Sequence, residues 1–144
     1  MTLSGIAALI TWGVVGSPDR SVSCLEEDLA EYHRCLETVR KWPSETVLWV
    51  DARKRELWEK GGVAGSVLVN EHEDWDEMVA SFATEVFGGG EVKLRVVVFC
   101  DKAGCDSSKV VADRLREEFL GWEFEVFVLH GGIKALEQEE KEKG

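Results

Sequence analysis

The apolar runs along this chain come in short blocks, and the spacing between them limits the folds available. Thr46–Val50 (TVLWV), Leu94–Phe99 (LRVVVF) and Phe124–Leu129 (FEVFVL) are β-branched and aromatic, short, and bounded by polar or glycine-containing turns. Such runs read as buried strands. Between and around them, apolar residues recur at helical spacing. Leu25, Leu29, Tyr32, Leu36 and Val39 do so ahead of a Trp42-Pro43 stop, with Ser23 and Glu26 forming a capping-box signature at the start. Trp75, Met78, Val79, Phe82 and Val86 repeat the pattern within Asp74–Phe87, which Gly88-Gly89-Gly90 closes. Val111, Ala112, Leu115 and Phe119 do so within Ser108–Leu120, and a last helix starts at Ile133 and runs into a charged tail, Glu137–Lys143, expected to be solvated and fraying. A polar helical stretch at Lys54–Lys60, a Gly61-Gly62 break and a further apolar run at Ser66–Val69 complete the order. Strands separated by helices of about 10–15 residues build βαβ units. The expected fold is therefore α/β, a three-layer domain with a mainly parallel central sheet flanked by helices on both faces.

With 144 residues there is room for one domain, whose core needs no disulfide or metal staple. A formal net charge of −11 argues against a nucleic-acid or anionic-membrane surface. The first 16 residues are uncharged and moderately apolar, yet too short and glycine-interrupted for a membrane span, and they lack a basic signal-peptide start. Residues 1–22 are expected to be an apolar extension and residues 23–144 the domain, in a cytoplasmic protein; membrane association through a truncated N-terminal segment is the alternative. Cys24, Cys35, Cys100 and Cys105 match no common zinc spacing, and no metal or cofactor is expected. The first two read as small buried hydrophobes on the first helix, with free thiols.

Cys100 is different. It follows the most apolar strand directly and precedes a polar loop that feeds a helix. In open parallel sheets, ligands bind just beyond the carboxyl ends of the strands. A helix N-terminus there offers backbone N–H groups without intrahelical partners and a partial positive charge. That environment lowers a thiol pKa and accommodates an anion without cationic side chains.

The string Val98-Phe99-Cys100, the polar loop to Ser108, then Ala112, Leu115 and Val126–Ile133 resembles the catalytic half of a single-domain rhodanese, a sulfurtransferase. Val50-Asp51-Ala52-Arg53, Trp58 and Gly61–Ser66 resemble that family's acidic-x-Arg strand end and its Gly-His-Ile-Pro-Gly-Ala turn. Gly62 stands where the family usually has His, Ala64 where it usually has Pro, and Leu136 where a Trp is common. The loop is about two residues longer than usual and has no Arg before its capping Ser; it is similar to a bacterial subgroup with the pattern C-x4-C-x2-S, here Cys100, Cys105 and Ser108. The missing Arg also counts against the cysteine phosphatases, whose C-x5-R loop uses a bidentate guanidinium for phosphate.

The resemblance implies that Cys100 takes sulfur from a small sulfane-sulfur donor as a persulfide and passes it to a thiol acceptor. The persulfide would be held by the loop N–H groups of Asp101, Lys102, Ala103, Gly104, Cys105, Asp106, Ser107 and Ser108. Cys105 is either a resolving thiol or a bystander. Asp51 and Arg53 are expected to support the first strand's exit as a charge pair. Lys102 and Lys109 either steer an anion or are solvated. His33, His72 and His130 form no cluster in the sequence. The alternative reading is a non-catalytic or redox-sensing rhodanese module that binds a protein partner.

Overall fold

In a computed structural model of the chain, residues 24–88, 93, 95–101 and 105–143 are described. Five parallel strands form one sheet: β1 (His33–Arg34), β2 (Val47–Asp51), β3 (Val67–Leu68), β4 (Arg95–Phe99) and β5 (Glu125–Leu129), in the order β1-β5-β4-β2-β3. The helices are α1 (Leu36–Arg40), α2 (Arg55–Lys60), α3 (Trp75–Gly88), α4 (Ser107–Glu118) and α5 (Ile133–Lys143). Both ladders of the central strand β4 run in register, Val98 pairing with Val50 on one side and with Val128 on the other.

Strand periodicity explains the layers. Successive side chains point to opposite faces, so Leu48, Val50, Val96, Val98, Val126 and Val128 share one face and pack with Met78, Phe82 and Val86 of α3 and Val111, Ala112 and Leu115 of α4. The intervening residues Val47, Val97, Phe99 and Leu129 face the other way, onto Val39 of α1 and Leu136 of α5. Helices cover both faces, as the apolar strand runs require.

The first expected helix is replaced. Its span holds a 3-10 turn at Glu26–Asp28, then β1, then the short α1. Tyr32 has φ +70°, which no helix interior tolerates, and its carbonyl accepts the Val128 N–H at 2.8 Å. Pairing with β5 satisfies backbone groups at the edge of the sheet, and that tertiary gain outweighs the helical spacing. Cys24 and Cys35 are not isolated helical hydrophobes with free thiols either; they form a disulfide with Cα atoms 5.9 Å apart. Glu26, expected to close a capping box, instead accepts from the Cys35 N–H at 3.0 Å and the Thr38 hydroxyl at 2.6 Å. The charged tail is helical throughout, and Glu139 takes a bidentate Arg40 guanidinium, with the shortest contact 2.7 Å. No helix among the described residues is long and apolar enough to cross a membrane. The expected extension, residues 1–22, lies outside the described residues.

Candidate active site

Strands β3, β2, β4 and β5 end side by side, and three backbone bonds stitch their exits together. The Ala52 N–H donates to the Phe99 carbonyl at 2.9 Å, the Val69 N–H to the Asp51 carbonyl at 3.0 Å, and the Ile133 N–H to the Cys100 carbonyl at 2.7 Å. Cys100 is thereby fixed between the exit of β2 and the start of α5. It is 3% exposed and joined to Cys105 in a disulfide with Cα atoms 6.2 Å apart. Cys105 is half-buried. Asp106 is the residue preceding α4; its carboxylate makes no cap bond to the helix, while its carbonyl accepts the Val110 N–H at 3.0 Å. The first N–H groups of α4, from Ser107 onward, have no intrahelical partner by construction. Ser108 is buried there, and the Ser107 hydroxyl donates to Glu71 at 3.2 Å. Asp101 is exposed; Lys102, Ala103 and Gly104 lie outside the described residues. Lys109 is exposed and pairs with Asp113 at 3.6 Å.

Asp51 and Arg53 meet in a buried pair. Asp51 is wholly buried and Arg53 is 9% exposed. Arg53 donates to Asp51 from its backbone N–H at 2.9 Å, from Nε at 3.0 Å and from Nη2 at 2.7 Å, and Nη2 also reaches the Gly61 carbonyl at 2.7 Å. The hydrogen bonds to Asp51 push the guanidinium pKa up against the opposing effect of burial, and the negative charges of Asp51, Asp101 and Glu137 add to the rise. A Cβ on Gly62 would stand 2.7 Å from Arg53 Nη2, and Gly62 has φ +153°. The guanidinium fills the space beside the turn, so a side chain at 62 requires the Arg53 guanidinium to shift.

Two residues that the sequence did not single out organise the rim. Asn70 is wholly buried; its amide donates to the Arg53 carbonyl at 3.1 Å, and its Oδ1 accepts from the His72 and Glu73 N–H groups at 2.9 and 3.1 Å. It fixes the loop that presents Glu71 to Ser107. An Asn that bonds the backbone two and three residues ahead is an Asx-type turn, a local signal, but nothing in the sequence ties it to Arg53. The three histidines stay apart in different segments, although His130 sits at the end of β5, beside the exit of β4. Among the described residues no group of His, Cys, Asp and Glu could hold a metal ion.

A family model for the rhodanese-like domain matches residues 36–139, well over half of the chain. The chain belongs to the rhodanese-like family. No match is found among curated proteins. Among solved structures, the rhodanese-like chain is similar to an As-Sb reductase from Leishmania major, with 21% identity and a TM-score of 0.60 over 78% of this chain and 81% of that one. It also matches the BH2092 protein from Bacillus halodurans at 20% identity and a TM-score of 0.48, over 78% of this chain and 74% of the other. Identities this low speak for the fold alone. The all-parallel sheet between two helical layers is the fold expected of the family.

Proposed function

We propose that this rhodanese-like chain is a sulfurtransferase with Cys100 as its nucleophile. The observation that carries the reading is the placement of Cys100: at the carboxyl end of β4, its carbonyl held by Ile133, ahead of the N-terminus of α4. In the reduced protein, the Cys100 thiolate attacks the outer sulfur of a sulfane donor. With thiosulfate, the S–S bond of the donor breaks, sulfite leaves with the bonding pair, and Cys100 carries a persulfide anion. An acceptor thiolate then attacks the terminal sulfur; Cys100 leaves as thiolate and the acceptor becomes the persulfide. The N–H groups of the loop and the first turn of α4 stabilise the anion in both states. Asp101 and Asp106 beside the loop oppose dianionic donors, so a less charged donor is favoured.

The domain is taken to span residues 23–144, with residues 1–22 as an extension. In a cytoplasmic setting, where thiols are kept reduced, both cysteine pairs would open and close and not act as static staples. The test is loading of the reduced protein with thiosulfate, mercaptopyruvate or an alkyl persulfide, read by intact mass, beside Cys100→Ser. A mass gain of one sulfur on the wild type alone supports the reading. Failure of every donor to load a folded, reduced protein overturns it. In that case the second reading stands, a redox-sensing module that binds a protein partner, favoured by the disulfide that closes Cys100 to Cys105.

A further inference from the structure

The two disulfides lie at the same end of the sheet, and strand register places them in line. Arg34 of β1 pairs with Leu129 of β5, and the His130 N–H donates to the Arg34 carbonyl at 2.9 Å. Val98 of β4 pairs with Val128 of β5. Continuing both ladders brings Cys35 and Cys100 to either side of His130, each one strand away. Two strand spacings of about 4.8 Å set their Cα atoms about 10 Å apart. Each is bonded to a cysteine outside the sheet, Cys35 to Cys24 and Cys100 to Cys105. Their surroundings differ. Cys100 is 3% exposed, whereas Cys24 is half-buried and, with Cys35 and His130, lines an open cleft of about 200 Å3.

We propose that Cys24–Cys35 is a second thiol–disulfide exchange site, which takes electrons from an external dithiol through that cleft and passes them to Cys100–Cys105. The external dithiol reduces Cys24–Cys35 and becomes a disulfide itself. The Cys24 thiolate then attacks the Cys105 sulfur; the Cys100–Cys105 bond breaks and Cys100 leaves as thiolate. The Cys35 thiolate attacks the Cys24 sulfur of this mixed disulfide, re-forming Cys24–Cys35 and releasing Cys105. One disulfide forms for each one broken, and the two protons of the dithiol end on Cys100 and Cys105. Transfer runs through the two outer cysteines because a disulfide needs Cα atoms about 4.4–6.8 Å apart, closer than the sheet allows Cys35 and Cys100. Cys24 and Cys105 lie outside the strands, so their movement toward each other breaks no ladder. The exchange does not depend on Cys100 carrying sulfur, so its test bypasses the sulfurtransferase assay.

Oxidised protein is treated with limiting dithiothreitol and quenched by alkylation, and each cysteine is followed by peptide mass spectrometry. Cys24 and Cys35 are expected to open first, with Cys100 and Cys105 thiols appearing as the first pair closes again. In the Cys24→Ser, Cys35→Ser double variant, opening of Cys100–Cys105 should slow by at least about tenfold. A second protein, Cys35→Ser with Cys100→Ser, leaves only the two outer thiols. Under oxidised glutathione it should form a Cys24–Cys105 cross-link within one chain, in a yield independent of protein concentration. Equal opening rates in the wild type and a folded double variant overturn the proposal. So does the absence of the intramolecular cross-link, which decides the matter even where the double variant does not fold.

Discussion

The exits of β2 and β4 are neighbours, with Asp51 paired to Phe99, yet they are built on opposite plans. The exit of β2 is closed by side chains. A buried carboxylate and a buried guanidinium bond each other, Gly61 accepts a further Nη2 N–H, and Asn70 holds the Arg53 carbonyl. The exit of β4 is held by backbone bonds, and the Cys100 side chain is bonded to Cys105 in a disulfide. One end is fixed by an ion pair that is costly to break. The other is fixed by a covalent bond that a reductant opens. If the proposed function holds, substitutions at the two ends should separate stability from chemistry.

The largest separation is expected at Cys100. In the reduced protein, Cys100→Ser should lower sulfur loading by about a thousandfold or more, since it removes the thiol that stands at the exit of β4. Its thermal unfolding under reducing conditions should stay close to the wild type, because one buried sulfur is exchanged for a smaller oxygen. A large drop in stability would merge the two ends into one structural unit.

Asp51→Ala should do the reverse. It leaves the Arg53 guanidinium buried without its counter-charge, a loss of about 3–5 kcal/mol, measured by chemical denaturation. At temperatures where the variant is folded, the Cys100 thiol should still alkylate at nearly the wild-type rate. A variant that keeps its stability and loses thiol reactivity would mean that the ion pair belongs to the chemistry. Gly62→Ala is the milder version, combining a residue disfavoured at φ +153° with a Cβ 2.7 Å from Arg53 Nη2. The expected loss is about 1–3 kcal/mol. An unchanged midpoint would show that Arg53 can move aside.

The same contrast governs what could be read from the sequence. β2, β4 and β5 were legible because each is a continuous apolar run, and α3 and α4 because their buried faces repeat at helical spacing. Cys100 was legible by its place after such a run. β1 was not, because two residues carry no period, and Tyr32 with positive φ has no sequence signature. The Cys24–Cys35 bond was hidden for the same reason: helical spacing across residues 25–39 concealed a segment whose shape is set by β5. Arg53 was legible as a partner for Asp51, but its crowding of a Cβ at Gly62 depends on where the guanidinium lies. Glu71 and Asn70 reach the rim through long-range contacts that no local pattern encodes.

The smallest effect is expected at the third exit, where β1 leads into Cys35, and it places that end between the other two. Glu26 is the side chain that holds it, accepting from the Cys35 N–H and the Thr38 hydroxyl and lying 3.8 Å from Arg34. Burial pushes the Glu26 carboxyl pKa up, but the Thr38 and Cys35 hydrogen bonds and the Arg34 and Lys41 charges together hold it below its ordinary value of 4.5. A carboxyl lowered on folding stabilises fully above its unfolded value, and the contribution is lost as pH falls through the folded one. Acidification from pH 4.5 downward should therefore loosen this edge. In Glu26→Gln the amide oxygen can still accept a hydrogen bond but carries no charge, so the cost at neutral pH should be small, about 1 kcal/mol, and this part of the acid dependence should vanish. Hydrogen exchange at the Cys35 and Val128 amides, followed between pH 6 and pH 3 with correction for intrinsic rates, reads the edge directly; protection should fall with pH in the wild type and not in Glu26→Gln if Glu26 acts as described. Superimposable profiles would leave the Cys24–Cys35 bond and the β5 ladder as the supports of this end. It would then resemble the exit of β4, closed by a disulfide, more than that of β2, closed by charge.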